Sequence, residues 1–317
     1  MYKQYVLLFL VTSLLLSSCD QAEVANESKE EKIIYSFKHP ETDQEYQIIH
    51  VYKLYKNFEK EIAEKSNISK STAFEEQVIQ PIYDACYKDA EYFERVGNTL
   101  SVQVPENEEQ INELNDLIKT MDEDVLNSSI KEALIKSSNY IGSNIKTNIC
   151  IYPTIANLNT AFMVTEGSGK ISVLYNKYYN ENILKSSIAH EYHHSVWTEK
   201  YFNKDYSDNV LDTLIFEGKA VMFEKIVYPE ITATRVNYSY NKDQWRNIEP
   251  DLYKYDLYRA SEIINGGGDL PKSYGYSEGY KMVKSYLEKY PDLKPEEWTA
   301  ISSQEIYEKG KYLDNYK

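Results

Sequence analysis

Apolar and polar positions change their period along this chain, and each change marks a structural boundary. From Val6 to Leu16 the residues are apolar apart from Thr12 and Ser13. This run of about eleven residues is too short to cross a bilayer. Extended-looking runs at Ile33–Phe37 and Tyr46–Tyr52 flank His39-Pro40-Glu41-Thr42-Asp43 and predict a hairpin. From Tyr52 to about Ile141 the pattern is helical, with helices expected over 52–65, 70–96, 106–120 and 123–140 and Pro81 kinking or splitting the second. At Lys146 the pattern changes again. Thr147–Pro153, Thr160–Thr165 and Lys170–Tyr175 read as strands, the last two joined by the turn-type Glu166-Gly167-Ser168-Gly169. Asn180 then caps a helix over about 181–200, and a further helix over 208–227 is stopped by Pro229. The expected fold is α+β and mostly helical, with a small antiparallel or mixed sheet preceded by a helical region.

The helix over 181–200 carries the candidate chemistry. Of the 5 histidines in 317 residues, three fall in His190-Glu191-Tyr192-His193-His194. Residues four apart share a helix face, so His190 and His194 can hold one zinc ion while Glu191 stands beside a metal-bound water. Ile183, Leu184, Ser187 and Ile188 mark the inward side of the same helix, and His190, His194 and Trp197 continue it. A buried pair of imidazoles needs partners, and a metal satisfies both. His193 is expected to support the site or to face solvent, and His39 and His50 to be surface or packing residues.

Zinc hydrolases use three protein ligands and leave a position for water. A histidine six residues after His194 would mark one large class of them, but Lys200 stands there. On the helix over 208–227, Val210, Leu214, Glu217, Val221 and Glu224 form a stripe, which makes Glu217 a carboxylate among apolar neighbours. An uncompensated buried carboxylate is costly, so Glu217 is the preferred third ligand. Glu224 is the second choice, with Glu199 and Asp212 behind it. Asp212 is alternatively a hydrogen-bond partner for a ligand imidazole, or a solvated surface residue. Gly218 and Ala220 are small enough to let this helix approach the histidine helix.

The N-terminal pattern bears on location. Lys3, the apolar run and Leu16-Ser17-Ser18-Cys19 resemble a bacterial lipoprotein signal. Residues 1–19 would then be the lipoprotein signal, cleaved so that the lipidated Cys19 becomes the new N-terminus, residues 20–32 would form a disordered tether, and the folded part would lie outside the cytoplasm on a membrane anchor. A net charge of -15 argues against a nucleic-acid or anionic-membrane surface. The 31 tyrosines are read as compositional bias, although such rings also line peptide grooves. Cys86 and Cys150 lack metal-ligand spacing and are read as buried thiols in preference to a bridge.

Ile188-Ala189-His190-Glu191-Tyr192-His193-His194, Leu211 to Ala220, and Tyr274-Gly275-Tyr276-Ser277-Glu278-Gly279-Tyr280 together resemble the bacterial YjaZ-like family of predicted zinc-dependent proteases, which is gluzincin-like. The resemblance covers roughly 145–310. It implies a zincin-like metallopeptidase domain over 142–317 behind a mainly helical region over 33–141, with zinc held by His190, His194 and Glu217 and Glu191 as general base. It also implies a peptide or protein substrate laid along a sheet edge, here assigned to Lys170–Tyr175. Val221 stands where a gluzincin carries its second carboxylate. Tyr276, followed by Tyr274, is the oxyanion-donor candidate after the Gly266-Gly267-Gly268 loop. Tyr276, Gly279, Tyr280 and Val283 also make an ordinary helix-packing face. The alternative function is a non-catalytic envelope binding lipoprotein with a structural or degenerate metal site. A two-lobed solute-binding lipoprotein would need alternating strand and helix units that the chain lacks.

Overall fold

Five strands form one mixed sheet in the order β1-β2-β3-β5-β4: β1 Ile34–Lys38, β2 Glu45–Ile49, β3 Thr147–Pro153, β4 Phe162–Gly167 and β5 Lys170–Tyr175. The computed structural model describes residues 32–92, 104–156, 160–204, 208–231 and 233–317. The expected leader, Cys19 and the tether up to residue 31 lie outside the described residues, as do 93–96 of the second expected helix. Lys32–Lys317 is one compact unit. Among the described residues no helix is long and apolar enough to cross a membrane.

The hairpin β1–β2 and the pair β4–β5 are antiparallel, while β3 runs parallel to both β2 and β5. With a parallel neighbour on each side, β3 is buried along its whole length. The period of two divides its side chains between two cores. Ile149 and Ile151 join one core, and Cys150 and Tyr152 the other. The sheet thus continues across the 141/142 boundary, because β2 of the N-terminal region pairs directly with β3. The expected substrate edge requires correction: β5 lies inside the sheet between β3 and β4, and the outermost strand on that side is β4. The turn after β4 is also shorter than expected, with a bulge between Thr165 and Gly167 and Gly169 at φ 69°.

One face of the sheet carries the short helices of the N-terminal region: α1 Tyr55–Glu64, α2 Lys70–Phe74, α3 Tyr83–Cys86 and α4 Glu108–Lys119. The helix expected over 70–96 is split, as expected from Pro81. A π turn over Glu75–Ile79 and a 3-10 turn over Gln80–Ile82 separate α2 from α3, at the point where Pro81 removes a backbone donor. Cys86 at the end of α3 is disulfide-bonded to Cys150 on β3, with Cα atoms 6.2 Å apart, so the two are not the free thiols expected. Nothing in a sequence separation of 64 residues could show that α3 packs on β3.

The other face carries α5 Glu123–Ser138 and α6 Glu181–Tyr201, with α7 Val210–Val227 packed on α6. Beyond them come α8 Lys242–Ile248, α9 Leu257–Asn265, α10 Tyr274–Leu287, α11 Pro295–Thr299 and α12 Ser303–Gly310. Asn180 caps α6 by accepting from the Ile183 N–H at 3.0 Å, and Asn209 caps α7 in a reciprocal box with Asp212. The packing of α7 differs from the expectation for Gly218. A Cβ there would come within 2.1 Å of the Gly279 carbonyl carbon, so Gly218 brings α7 against α10 rather than against α6.

Candidate functional site

Asn180 fixes where α6 begins, and the helical repeat then places His190 and His194 on its buried side, where both are largely excluded from solvent. Their Nε2 atoms stand 3.1 Å apart. From α7, Oε2 of Glu217 lies 3.3 Å from Nε2 of His190 and 3.2 Å from Nε2 of His194. Ligands at about 2.0–2.1 Å around a tetrahedral zinc stand about 3.3–3.4 Å from one another, so these spacings fit that ion. The donor set of two imidazoles and one carboxylate fits it as well. Among the described residues, these three form the group of histidine and acidic side chains spaced to hold a metal.

Electrostatics bind the three groups together. Burial pushes the His190 pKa down, but the carboxylates of Glu217, Glu224 and Glu191 outweigh it and hold the ring at about 10. Glu217 loses solvation as well, yet the two imidazoles bring its pKa well below the usual carboxylate range. The His194 ring lies flat on Phe216, with centroids 4.0 Å apart, and Trp197 meets the edge of Phe216 at 5.0 Å. This aromatic shelf fixes the ring plane of His194.

Glu191 sits on the same stretch of α6 and turns toward the sheet edge. Thr165 on β4 reaches it with its hydroxyl, 2.8 Å from Oε2 and 2.9 Å from the Glu191 carbonyl oxygen. Burial raises the Glu191 pKa against the opposing pull of His194 and His190. A carboxylate tuned upward is a better proton acceptor near neutral pH. Thr165 was not singled out from the sequence, where it reads only as the last residue of a strand before a turn.

Glu224, the second choice for a ligand, lies behind His190 instead. Its Oε2 is 3.4 Å from His190 Nδ1, an ion-pair distance longer than a closed hydrogen bond. Its Oε1 accepts from Ser186 Oγ at 2.8 Å, from the Thr234 N–H at 3.0 Å and from the Ala233 N–H at 3.2 Å. Glu224 therefore stands where a ligand imidazole commonly finds its outer carboxylate, seven residues after Glu217. Asp212 closes the α7 capping box, and Glu199 accepts from the Asn144 N–H at 2.9 Å and from Ser143. Among the described residues, neither belongs to the group spaced to hold a metal.

His193 is buried rather than exposed. It stacks on Trp298 at 5.6 Å and bonds Thr299 Oγ1 at 3.2 Å. Lys219, two residues after Glu217, is buried too and donates to the carbonyls of Thr299 and Ile301. Burial lowers its pKa to about 7. Together His193 and Lys219 fasten the end of α11 to α6 and α7. His39 and His50 are likewise buried, paired with Asn139 and Glu123 respectively.

Tyr276 on α10 reaches the site. Its ring centroid is 6.2 Å from that of His190, and the negative charge of Glu217, then burial, then Glu191, keep its phenol protonated far above neutral pH. A protonated phenol is a hydrogen-bond donor. Tyr274, two residues earlier, points from the opposite side of the helix toward Glu278, which accepts from Tyr312 and Tyr316 near the C-terminus.

On the other face of β4, Glu166 is buried beside Ser172 and the hydrogen-bonded pair Tyr87 and Tyr152. Burial raises its pKa to about 7.

A helix bearing His-Glu-x-x-His and a glutamate from a second helix thus bring together, beside a mixed sheet, three side chains that could hold a metal. Residues 126–308 match the family described as predicted Zn-dependent protease (DUF2268), and the chain belongs to that family. No curated protein and no solved structure matches it.

Proposed function

We propose that this protein is a zinc-dependent peptidase held at the outer face of a cell membrane by a lipid on Cys19. The observation that carries the reading is the convergence of His190 Nε2, His194 Nε2 and Glu217 Oε2, each within 3.3 Å of the next. These three atoms are the ligands. When bound, zinc supplies a Lewis acid that polarises a substrate carbonyl and brings the pKa of water toward neutrality. Glu191 takes the proton of the attacking water and returns it to the leaving amine. Thr165 orients that carboxylate, and Tyr276 donates its hydroxyl proton in a hydrogen bond to the oxygen on which charge develops. A peptide lies extended along the outer edge of β4. The Cys86–Cys150 bridge supports an oxidising, extracytoplasmic compartment.

Metal analysis and peptide hydrolysis on the purified protein test this reading. Stoichiometric zinc is expected, together with hydrolysis that Glu191→Gln abolishes without loss of metal. Absence of metal after zinc supplementation overturns the reading. Bound zinc with no hydrolysis of any peptide would point instead to a non-catalytic binding lipoprotein. For the anchor, Cys19→Ala is expected to release the protein from the membrane fraction.

A further inference from the structure

The outer edge of β4 is not free along its whole length. At Glu166 the carbonyl accepts from the Tyr92 N–H at 2.8 Å. One residue further on, a Cβ at Gly167 would fall 2.6 Å from the Glu91 nitrogen and 3.2 Å from Ala90 Cα, so the backbone of 90–92 lies directly against the strand. The Glu91 carboxylate accepts from both the N–H and the hydroxyl of Ser168, each at 2.8 Å. Tyr92 then pins this strap to the histidine helix. Its hydroxyl lies 2.9 Å from Thr198 Oγ1, which itself donates to the His194 carbonyl, and its ring meets Phe202 at 5.5 Å.

Thr165, which holds Glu191, is therefore separated from the strap by no intervening strand residue. At about 3.3 Å per residue, an extended chain pairing past Thr165 in that direction has room for about one residue before it meets Tyr92. We propose that residues 90–92 wall off one end of the substrate edge and restrict the site to peptide ends. The proposal rests on the peptidase reading above. Strand addition next to an antiparallel edge favours antiparallel pairing. Because β4 runs toward the strap, an antiparallel substrate presents its amino terminus there. Glu91 suits that end: each carboxylate oxygen receives one hydrogen bond from Ser168 and keeps a further acceptor site for an α-ammonium group. The substrate class is peptides with a free amino terminus, trimmed by one or two residues at a time.

The test uses a long C-amidated peptide with a free or an acetylated amino terminus, incubated with the full zinc-loaded chain and read by mass spectrometry. Stepwise loss of N-terminal residues is expected, with acetylation reducing kcat/KM by about 10- to 100-fold, the range for losing one charge-assisted hydrogen bond. Glu91→Gln should reduce that discrimination, and Tyr92→Ala should admit internal cleavage. Internal cleavage of the acetylated peptide by the wild type at the rate of the free one overturns the proposal. Binding to Glu191→Gln, followed by fluorescence anisotropy, separates this outcome from a failure of the peptidase reading. Preference for the free amino terminus without hydrolysis leaves the proposal standing and removes only the activity, whereas equal affinity or no binding overturns it.

Discussion

Gly279→Ala tests whether the crossing of α7 and α10 sets the site. A Cβ at Gly279 would lie 1.9 Å from the Leu214 carbonyl oxygen, 2.9 Å from its carbon and 3.0 Å from Gly218 Cα. All of these are backbone atoms, so no flexible side chain can swing aside. Restoring an ordinary contact of about 3.5 Å requires the helices to separate by on the order of 1.5 Å. Overpacking of this kind costs about 1–3 kcal/mol, and an obstruction made of backbone belongs at the upper end. Alanine returns about 1 kcal/mol through its better helix propensity, leaving a net loss of about 2 kcal/mol. For a domain of about 150–250 residues this lowers Tm by about 4–8 °C, and the larger unit here belongs at the lower end of that range. Function should suffer more than stability. Glu217 and Tyr276 ride on the two helices that separate, and a misplacement of about 1 Å can cost about 100-fold in rate. Differential scanning fluorimetry and peptide hydrolysis measure the two effects. Gly142→Ala serves as control, since no atom lies within 4 Å of the added carbon there. A Gly279→Ala protein that melts with the wild type and retains its rate would refute the argument.

Three further outcomes follow from the site and the sheet. Glu224→Ala removes the carboxylate behind His190 and should weaken zinc binding by about 10- to 100-fold in a competition titration with a chromogenic chelator; unchanged affinity would show that the 3.4 Å contact carries no weight. Glu166, whose pKa is raised from 4.5 to about 7, binds its proton more tightly in the folded state, so its contribution is favourable below pH 4.5 and is lost as pH rises through 7. Glu166→Gln should therefore gain up to about 3 kcal/mol over the wild type at pH 8 and little at pH 4, read from urea midpoints; a difference independent of pH contradicts the assignment. Replacing Cys86 and Cys150 with serine opens a loop spanning 64 residues and should cost about 4 kcal/mol by the chain-entropy relation, which equilibrium unfolding under non-reducing conditions will measure.

What the sequence made legible was whatever depends on position within one helix. His190 and His194 are four residues apart, so their shared face follows from helix geometry alone. Glu217 stood out because α7 is apolar on nearly every side, as a helix between two others must be. Contacts between elements were less accessible. Glu224 continues the Glu217 stripe and so resembled an alternative ligand, yet two helical turns carry it to the far nitrogen of His190. Gly218 was expected to face α6, but small size indicates a close approach without naming the partner, which is Gly279. Thr165 escaped notice because its role depends on β4 lying at the sheet edge, and the strand order β3-β5-β4 is not the order in the chain.

The bridge between Cys86 and Cys150 has a consequence for how this protein can diversify. The family match spans 126–308 and contains all of His190, Glu191, His194, Glu217 and Tyr276, whereas Cys86, Glu91 and Tyr92 precede it. Cys150 lies on β3 inside the matched region, so one covalent bond joins the region that contains His190, His194 and Glu217 to the segment that leads to the strap over β4. Substitutions in residues 87–92 can thus alter the end of the β4 edge without touching the helices that carry His190, His194 and Glu217. The bridge holds that segment in register with the sheet.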